Sequence, residues 1–172
     1  MGDVTGFRPV RWVVHHSESP GGGLLFIKKV AQENQGIDFC PYHFLISNGQ
    51  DWGGFHEEEL HDGLLIIGRE DTKAGQHCRH HNSTSLGICL IGNFEKTIAT
   101  SAQIDTLIHV LEGGFKKYGI TPIFGDTVFN HKDMPDNSTA CPGKHMYDIT
   151  RRCALIAYER IVQTARTGHA QG

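Results

Sequence analysis

The sequence predicts an α/β fold: a single domain with a central mixed β-sheet flanked by helices. Three observations predict it. Short β-branched and aliphatic runs alternate with longer segments of helical period, the order that builds helices onto a sheet. The 172 residues suit one ordinary domain, with no internal repeat, low-complexity tract or proline-rich linker to divide them. Hydrophobic residues make up 38%, including 9 Phe, 4 Tyr and 2 Trp, enough for a packed core and too much for wholesale disorder.

Each element has its own local signal. Val10 to His16 is β-branched and aromatic and is followed by Pro20 and three glycines, so a strand is expected. Leu24, Ile27, Val30 and Ala31 recur at helical spacing, with Asn34-Gln35-Gly36 as the stop. Tyr42 to Ile46 reads as a second strand closed by the turn pair Asn48-Gly49. Leu64 to Ile67 and Leu86 to Ile91 read as a third and a fourth, both nearly all apolar, as strands covered on both faces should be. Ser101 to Tyr118 is the strongest helix, with Ile104, Leu107, Ile108, Leu111, Phe115 and Tyr118 on one face. Thr100 and Gln103 have the spacing of a capping box, Gly119 sits at C′, and Gly113-Gly114 implies a kink or close packing. Val128 to His131 is a short strand, and a last helix runs from about Met146 to Gln163 with Ile149, Cys153, Ile156 and Ile161 inward. The domain is expected to span residues 1–165, leaving 166–172 as a flexible polar tail.

Composition also excludes classes of function. The net charge of −3 gives no electrostatic footprint for nucleic acid. No apolar run reaches membrane-spanning length, and the N-terminus lacks the basic-then-apolar pattern of a secretory signal, so synthesis in the cytoplasm without export is expected. Cys40, Cys78, Cys89, Cys141 and Cys153 are odd in number and widely spaced, which argues against a disulfide scaffold and for small buried side chains. Twelve histidines, in contrast, are an ample supply of metal ligands near neutral pH.

Two stretches could carry chemistry. His15 and His16 end the first strand, and alternation places His15 with Val13 and Ser17 on one face and His16 with Trp12 and Val14 on the other, so only one of the pair serves a given site. The second stretch runs from His131 to Gly143, where Cys141 follows His131 ten positions later in a loop punctuated by Pro135, Pro142 and Gly143. It is either a turn-rich loop holding a buried Cys or a curl that brings imidazole and thiolate to one borderline-soft ion such as zinc.

With these segments the sequence resembles the zinc-dependent N-acetylmuramoyl-L-alanine amidases of the type 2 family, which includes phage lysins and peptidoglycan recognition proteins. Val13-Val14-His15-His16-Ser17 is similar to the family's first-strand motif, and Tyr42-His43-Phe44-Leu45-Ile46 to its second. Gly68-Arg69 with Ala74-Gly75-Gln76-His77, Ser85 to Gly92, and His131-Lys132-Asp133 with Cys141-Pro142-Gly143 follow in the family's order, over roughly residues 11 to 160.

The resemblance implies zinc held by His15, His131 and Cys141, with the fourth position left for water. It implies Tyr42 and Thr139 as catalytic residues that steady the tetrahedral intermediate, although many lysins have Lys where Thr139 stands. His77 is expected along the substrate groove. The segment from Asn48 to Gly63 is longer than the family's usual hairpin turn, and its Trp52 is expected to contact glycan or peptide. The implied substrate is the bond between N-acetylmuramic acid and L-alanine in peptidoglycan, cut by a monomeric phage-type endolysin acting on the wall. A recognition domain without catalysis is the first alternative; such members typically lack the Cys ligand. A cytosolic muropeptide-recycling amidase is the second.

Overall fold

The computed structural model describes residues 7–169. Five strands form one sheet in the order β3-β2-β4-β1-β5: β1 (Arg11–His16), β2 (Phe44–Asn48), β3 (Asp62–Ile67), β4 (Ser85–Leu90) and β5 (Val128–Asn130). β1 runs parallel to β4 and β5, and β2 parallel to β4, while β2 and β3 pair antiparallel. The sheet is therefore mixed, as expected.

The two faces of β1 are divided by side-chain alternation. Trp12 and Val14 join Leu86, Ile88, Leu90 and Val128 in the main core, under α2 (Ser101–Tyr118) and α3 (Tyr147–His169). On the opposite face Leu45, Cys89 and Ile91 pack with Ile27 of α1 (Leu24–Gln35), and Val13 packs with Cys78 and Met134. Helices thus cover both faces, and the second face is left partly to loops at the end where β1, β4 and β5 terminate. Parallel strands end together, so this edge collects the residues that follow each strand.

α2 has the bounds that its sequence signals give. Thr100 Oγ1 accepts the Gln103 N–H at 3.0 Å, Gln103 Oε1 accepts the Thr100 N–H, and Gly119 closes the helix at φ 70°. The buried Gln103 amide also donates to the carbonyls of Ile46 and Ile91, which ties the start of α2 to the ends of β2 and β4. Gly114 is a close-packing glycine: a Cβ there would collide with Cζ2 of Trp12, whereas one on Gly113 would meet open space.

Several expectations need correction. β3 is not covered on both faces; it is a sheet edge, with Leu65 40% and Ile67 60% exposed. β2 begins at Phe44, so Tyr42 and His43 precede the ladder. On α2, Phe115 is exposed. The inward face of α3 is carried by Cys153, Ala154 and Ala157, while Ile156 is exposed. α3 also continues beyond Gln163 to His169, so Arg166 to Gly168 are helical and residues 170–172 lie outside those described.

The segment from Asn48 to Gly63 is anchored on α1. Glu57 Oε1 accepts the N–H of Leu24 at 3.0 Å, supplying the cap that Gly23 cannot. Lys29 lies over the Phe55 ring, and Gly53 packs on Phe26. The acidic run is therefore partly structural, with Glu57 at the positive end of a helix.

Candidate metal centre

β1 and β5 are parallel, with Val14 opposite Asn130. The residue after each of them is a histidine, so the register alone brings His15 and His131 together. Their ring centroids are 4.4 Å apart. His131 opens a 3-10 turn, His131–Asp133, and the loop beyond it returns so that Lys132 N–H donates to the Cys141 carbonyl at 2.8 Å. The returning loop places Cys141 Sγ 3.6 Å from His15 Nδ1. One donor atom from each of His15, His131 and Cys141 lies within 4.8 Å of the others. The curled loop, not the turn-rich alternative, is what the chain forms.

His16 points to the other face. It is buried, its Nδ1 accepts the Phe94 N–H at 3.1 Å, and its backbone N–H donates to Cys141 Sγ at 3.4 Å. The strand register therefore selects His15.

The protonation pattern prepares the ligands. His77 Nε2 faces the Ser85 carbonyl at 3.3 Å, an acceptor only, so that nitrogen carries the proton. His77 Nδ1 then accepts from His15 Nε2 at 2.9 Å, which leaves the lone pair of His15 on Nδ1, toward Cys141. Asn137 works likewise on the other ligand. Its Nδ2 donates to the carbonyls of Arg79 and Pro135, so Oδ1 accepts from His131 Nε2 at 3.0 Å. Both imidazoles thus keep Nδ1 free.

Burial reinforces this state. His15 lies well below the ordinary histidine range because it is buried and then because His77 and His131 adjoin it. Burial lowers His131 and pushes His77 down to about 3. The Cys141 thiol is pushed up to about 12 by burial, so an incoming cation must displace its proton. Neutral imidazoles and a thiol within one small radius fit zinc, and three protein ligands leave a tetrahedral ion one open corner.

The remaining expected residues are distributed around this centre. The Tyr42 ring lies 5.0 Å from that of His15, and its hydroxyl meets the thiol of Cys89, the β4 residue in register with His15. Burial first, then the neighbouring thiols, raise its pKa well above the usual phenol value, so it stays a donor. Thr139 is exposed, and its Oγ1 accepts the Cys141 N–H at 3.1 Å. His77 is 8% exposed, and its ring faces His15. Gly87 makes room for it, since a Cβ there would sit 2.7 Å from the His77 ring. Trp52 is 47% exposed and bridges to Phe55; no described contact joins it to the three ligands. Sequence reasoning missed Asn137, whose turn-forming residue type gives no sign that its Oδ1 accepts from His131.

Buried neutral imidazoles make the metal-free fold acid-sensitive. His43, lowered by burial, accepts the Gly87 N–H on Nδ1 and donates from Nε2 to the Lys73 carbonyl, a pattern that requires the neutral ring. An unfolded histidine titrates near about 6.5. Below that pH the unfolded chain binds more protons than the folded one, so stability is greatest above it and falls on acidification toward the lowered folded values. Melting of chelator-treated protein is expected at lower temperature at pH 5 than at pH 7.5; equal melting temperatures would contradict this.

A mixed sheet flanked by helices, with two histidines and a cysteine gathered at the strand ends, defines the class of domain, and comparison with known proteins identifies the family. The Amidase_2 family model, described as N-acetylmuramoyl-L-alanine amidase, matches residues 6–144. The chain belongs to that family. It is 29% identical over 160 residues to the endolysin of Enterobacteria phage K11, covering 87% of this chain and 91% of that protein. It is 31% identical over 90 residues to peptidoglycan-recognition protein SC2 of Drosophila melanogaster; that match spans 52% of this chain and 47% of the relative, about half its length. Among solved structures it resembles N-acetylmuramoyl-L-alanine amidase LysC from Clostridium intestinale URNW, with a TM-score of 0.69, 25% identity, and coverage of 86% of this chain and 87% of that one.

Proposed function

We propose that this protein is a zinc-dependent hydrolase of the endolysin type, cleaving the amide between N-acetylmuramic acid and L-alanine in peptidoglycan and acting on the bacterial wall. The observation that carries the reading is the convergence of His15, His131 and Cys141, with both imidazoles presenting a lone pair. The intact thiol favours an enzyme over a recognition domain. No helix among the described residues is long and apolar enough to cross a membrane.

His15, His131 and Cys141 would hold the ion. When bound, zinc supplies Lewis-acid polarisation of the scissile carbonyl and a lowered pKa for water. Tyr42 remains protonated and would donate a hydrogen bond as negative charge grows on the carbonyl oxygen. Thr139 has its oxygen engaged by the Cys141 N–H, so its hydroxyl proton is free to donate at the rim of the centre. Neither residue needs to ionise, and both contribute through orientation.

Tyr42→Phe removes one donor without a ligand, so kcat is expected to fall by about 10²–10³ with zinc content unchanged. An unaltered kcat would exclude the catalytic role. Trp52, exposed on the loop anchored to α1, is proposed as a stacking surface for glycan or peptide. Trp52→Ala is then expected to raise KM on intact walls and leave kcat unaffected; an unchanged KM removes it from the substrate path.

Mass spectrometry of products from purified sacculi, with and without chelator, tests the reading. Muramyl glycan released together with stem peptides beginning at L-alanine, and lost on chelation, is the expected result. Binding to sacculi without release would make the protein a recognition domain. Release from soluble anhydro-muropeptides alone would make it a recycling enzyme.

A further inference from the structure

The residues that orient the two histidine ligands come from opposite directions in the fold, yet both lead to one short loop. His77 Nδ1 accepts a hydrogen bond from His15 Nε2. Asn137 Oδ1 accepts a hydrogen bond from His131 Nε2, and Asn137 is itself held by the backbone of Arg79, whose N–H donates to Oδ1 at 3.2 Å and whose carbonyl accepts from Nδ2 at 3.1 Å. The same loop is closed by Asn82, whose Oδ1 accepts the N–H of His77 at 2.9 Å and of Cys78 at 2.8 Å. Beyond Asn82 the chain enters β4, where the carbonyl of Ser85 fixes the far side of the His77 ring. Gly87, two residues further, leaves the hollow in which the ring lies.

From this geometry we infer that the loop from His77 to Asn82 is a shared outer shell that sets the tautomer and aim of both histidine ligands, with Asn82 as its positioning residue. The inference rests on the metal centre proposed above and adds the element that tunes it. Asn82 has no hydrogen bond to His15, His131 or Cys141 among the described contacts, yet it pins the backbone from which one imidazole is contacted by a side chain and the other through Asn137. Outer-shell partners of metal-ligating histidines fix ring orientation and typically change metal affinity 10–100-fold when lost. A single pin beneath two such partners couples them: releasing it loosens both ligands at once.

The chemistry of the pin defines the test. Two backbone N–H groups need one oxygen acceptor, which Asp supplies as well as Asn, whereas Ala supplies none. Zinc affinity is measured by chelator competition on the metal-free full chain, with Asn82→Ala, Asn82→Asp, Asn137→Ala and the Asn82→Ala/Asn137→Ala double variant beside the wild type. Asn82→Ala is expected to bind zinc about 10–100-fold more weakly, and Asn82→Asp to stay within a few-fold of wild type. The double variant is expected to lose less than the product of the single losses, because the Asn137 contact already depends on the pinned loop. Imidazole ¹⁵N shifts of the metal-free protein provide a second readout: His15 and His131 as single Nε2–H tautomers in the wild type, and mixed tautomers in Asn82→Ala.

Wild-type zinc affinity in Asn82→Ala overturns the inference, as does strict multiplicativity in the double variant. If Asn82→Ala does not fold, Asn137→Ala and the Asp variant decide: unchanged affinity in Asn137→Ala, or loss in Asn82→Asp equal to that of Asn137→Ala, overturns it. A wild type that binds no zinc refutes the metal centre itself, a result separable from all of these.

Discussion

Cys141→Ser is expected to abolish both stoichiometric zinc binding and amide hydrolysis while leaving the metal-free fold intact. The thiol is one of three donors, and a serine hydroxyl, which ionises with far more difficulty, is a poor replacement. Lewis-acid stabilisation of several kcal/mol disappears with the ion, which corresponds to about 10³-fold or more in rate. The fold does not depend on the residue. Cys141 is half-buried on a loop, and the cores under α2 and α3 and around α1 do not include it. Metal-free wild type and variant are therefore expected to melt within a few degrees of one another, whereas added zinc should stabilise only the wild type through preferential binding to the native state. Retained activity in a metal-depleted Cys141→Ser sample would contradict the role given to the thiol.

The second large effect is a contrast between adjacent glycines of α2. Gly113→Ala enters open space and gains helix propensity, so it is expected to stabilise by about 0.5–1 kcal/mol. Gly114→Ala gains the same propensity but drives its methyl into the indole of Trp12, which is 1% exposed and flanked by Phe44 and Tyr118. Overpacking costs about 1–3 kcal/mol, and the new methyl must displace the Trp12 ring from its place between Phe44 and Tyr118, beside a cavity of about 260 Å³. The net sign is expected to be destabilising, with Tm falling by about 2–8 °C for a domain of this size. Thermal melts of the two variants decide it. Two shifts of the same sign would show that α2 is not pressed onto Trp12 as described.

The same contrast shows what the sequence could reveal. Gly113-Gly114 announced a kink or close packing, but only the position of Trp12 on β1 tells which glycine is in contact. Elements governed by local chemistry were readable at residue level. The Thr100–Gln103 capping box and Gly119 set the ends of α2, and Gly36, at φ 69°, closes α1. Features governed by topology were not. Leu64-Leu65-Ile66-Ile67 has the composition of a buried strand, yet nothing local says that it will be a sheet edge. On α3 the isoleucines drew attention, while the small Ala154 and Ala157 face the core.

The centre divides in the same way. Strand alternation separated His15 from His16 but could not choose between them; the resemblance did, and the register of β1 with β5 explains the choice physically. His77 was expected along a substrate groove from the resemblance alone, and nothing in its local sequence shows that it is buried against His15. Its burial depends on the hollow left by Gly87 in a different element. Asn82 and Asn137 carry ordinary turn chemistry in sequence, and their function exists only in the folded network.

X-ray absorption at the zinc edge of the full chain, loaded with one equivalent of zinc, tests the centre most directly. The account predicts two nitrogen neighbours from imidazole and one exchangeable oxygen at about 2.0–2.1 Å, with a single sulfur at about 2.3 Å. A shell without sulfur, or one closed by four protein ligands, would contradict it.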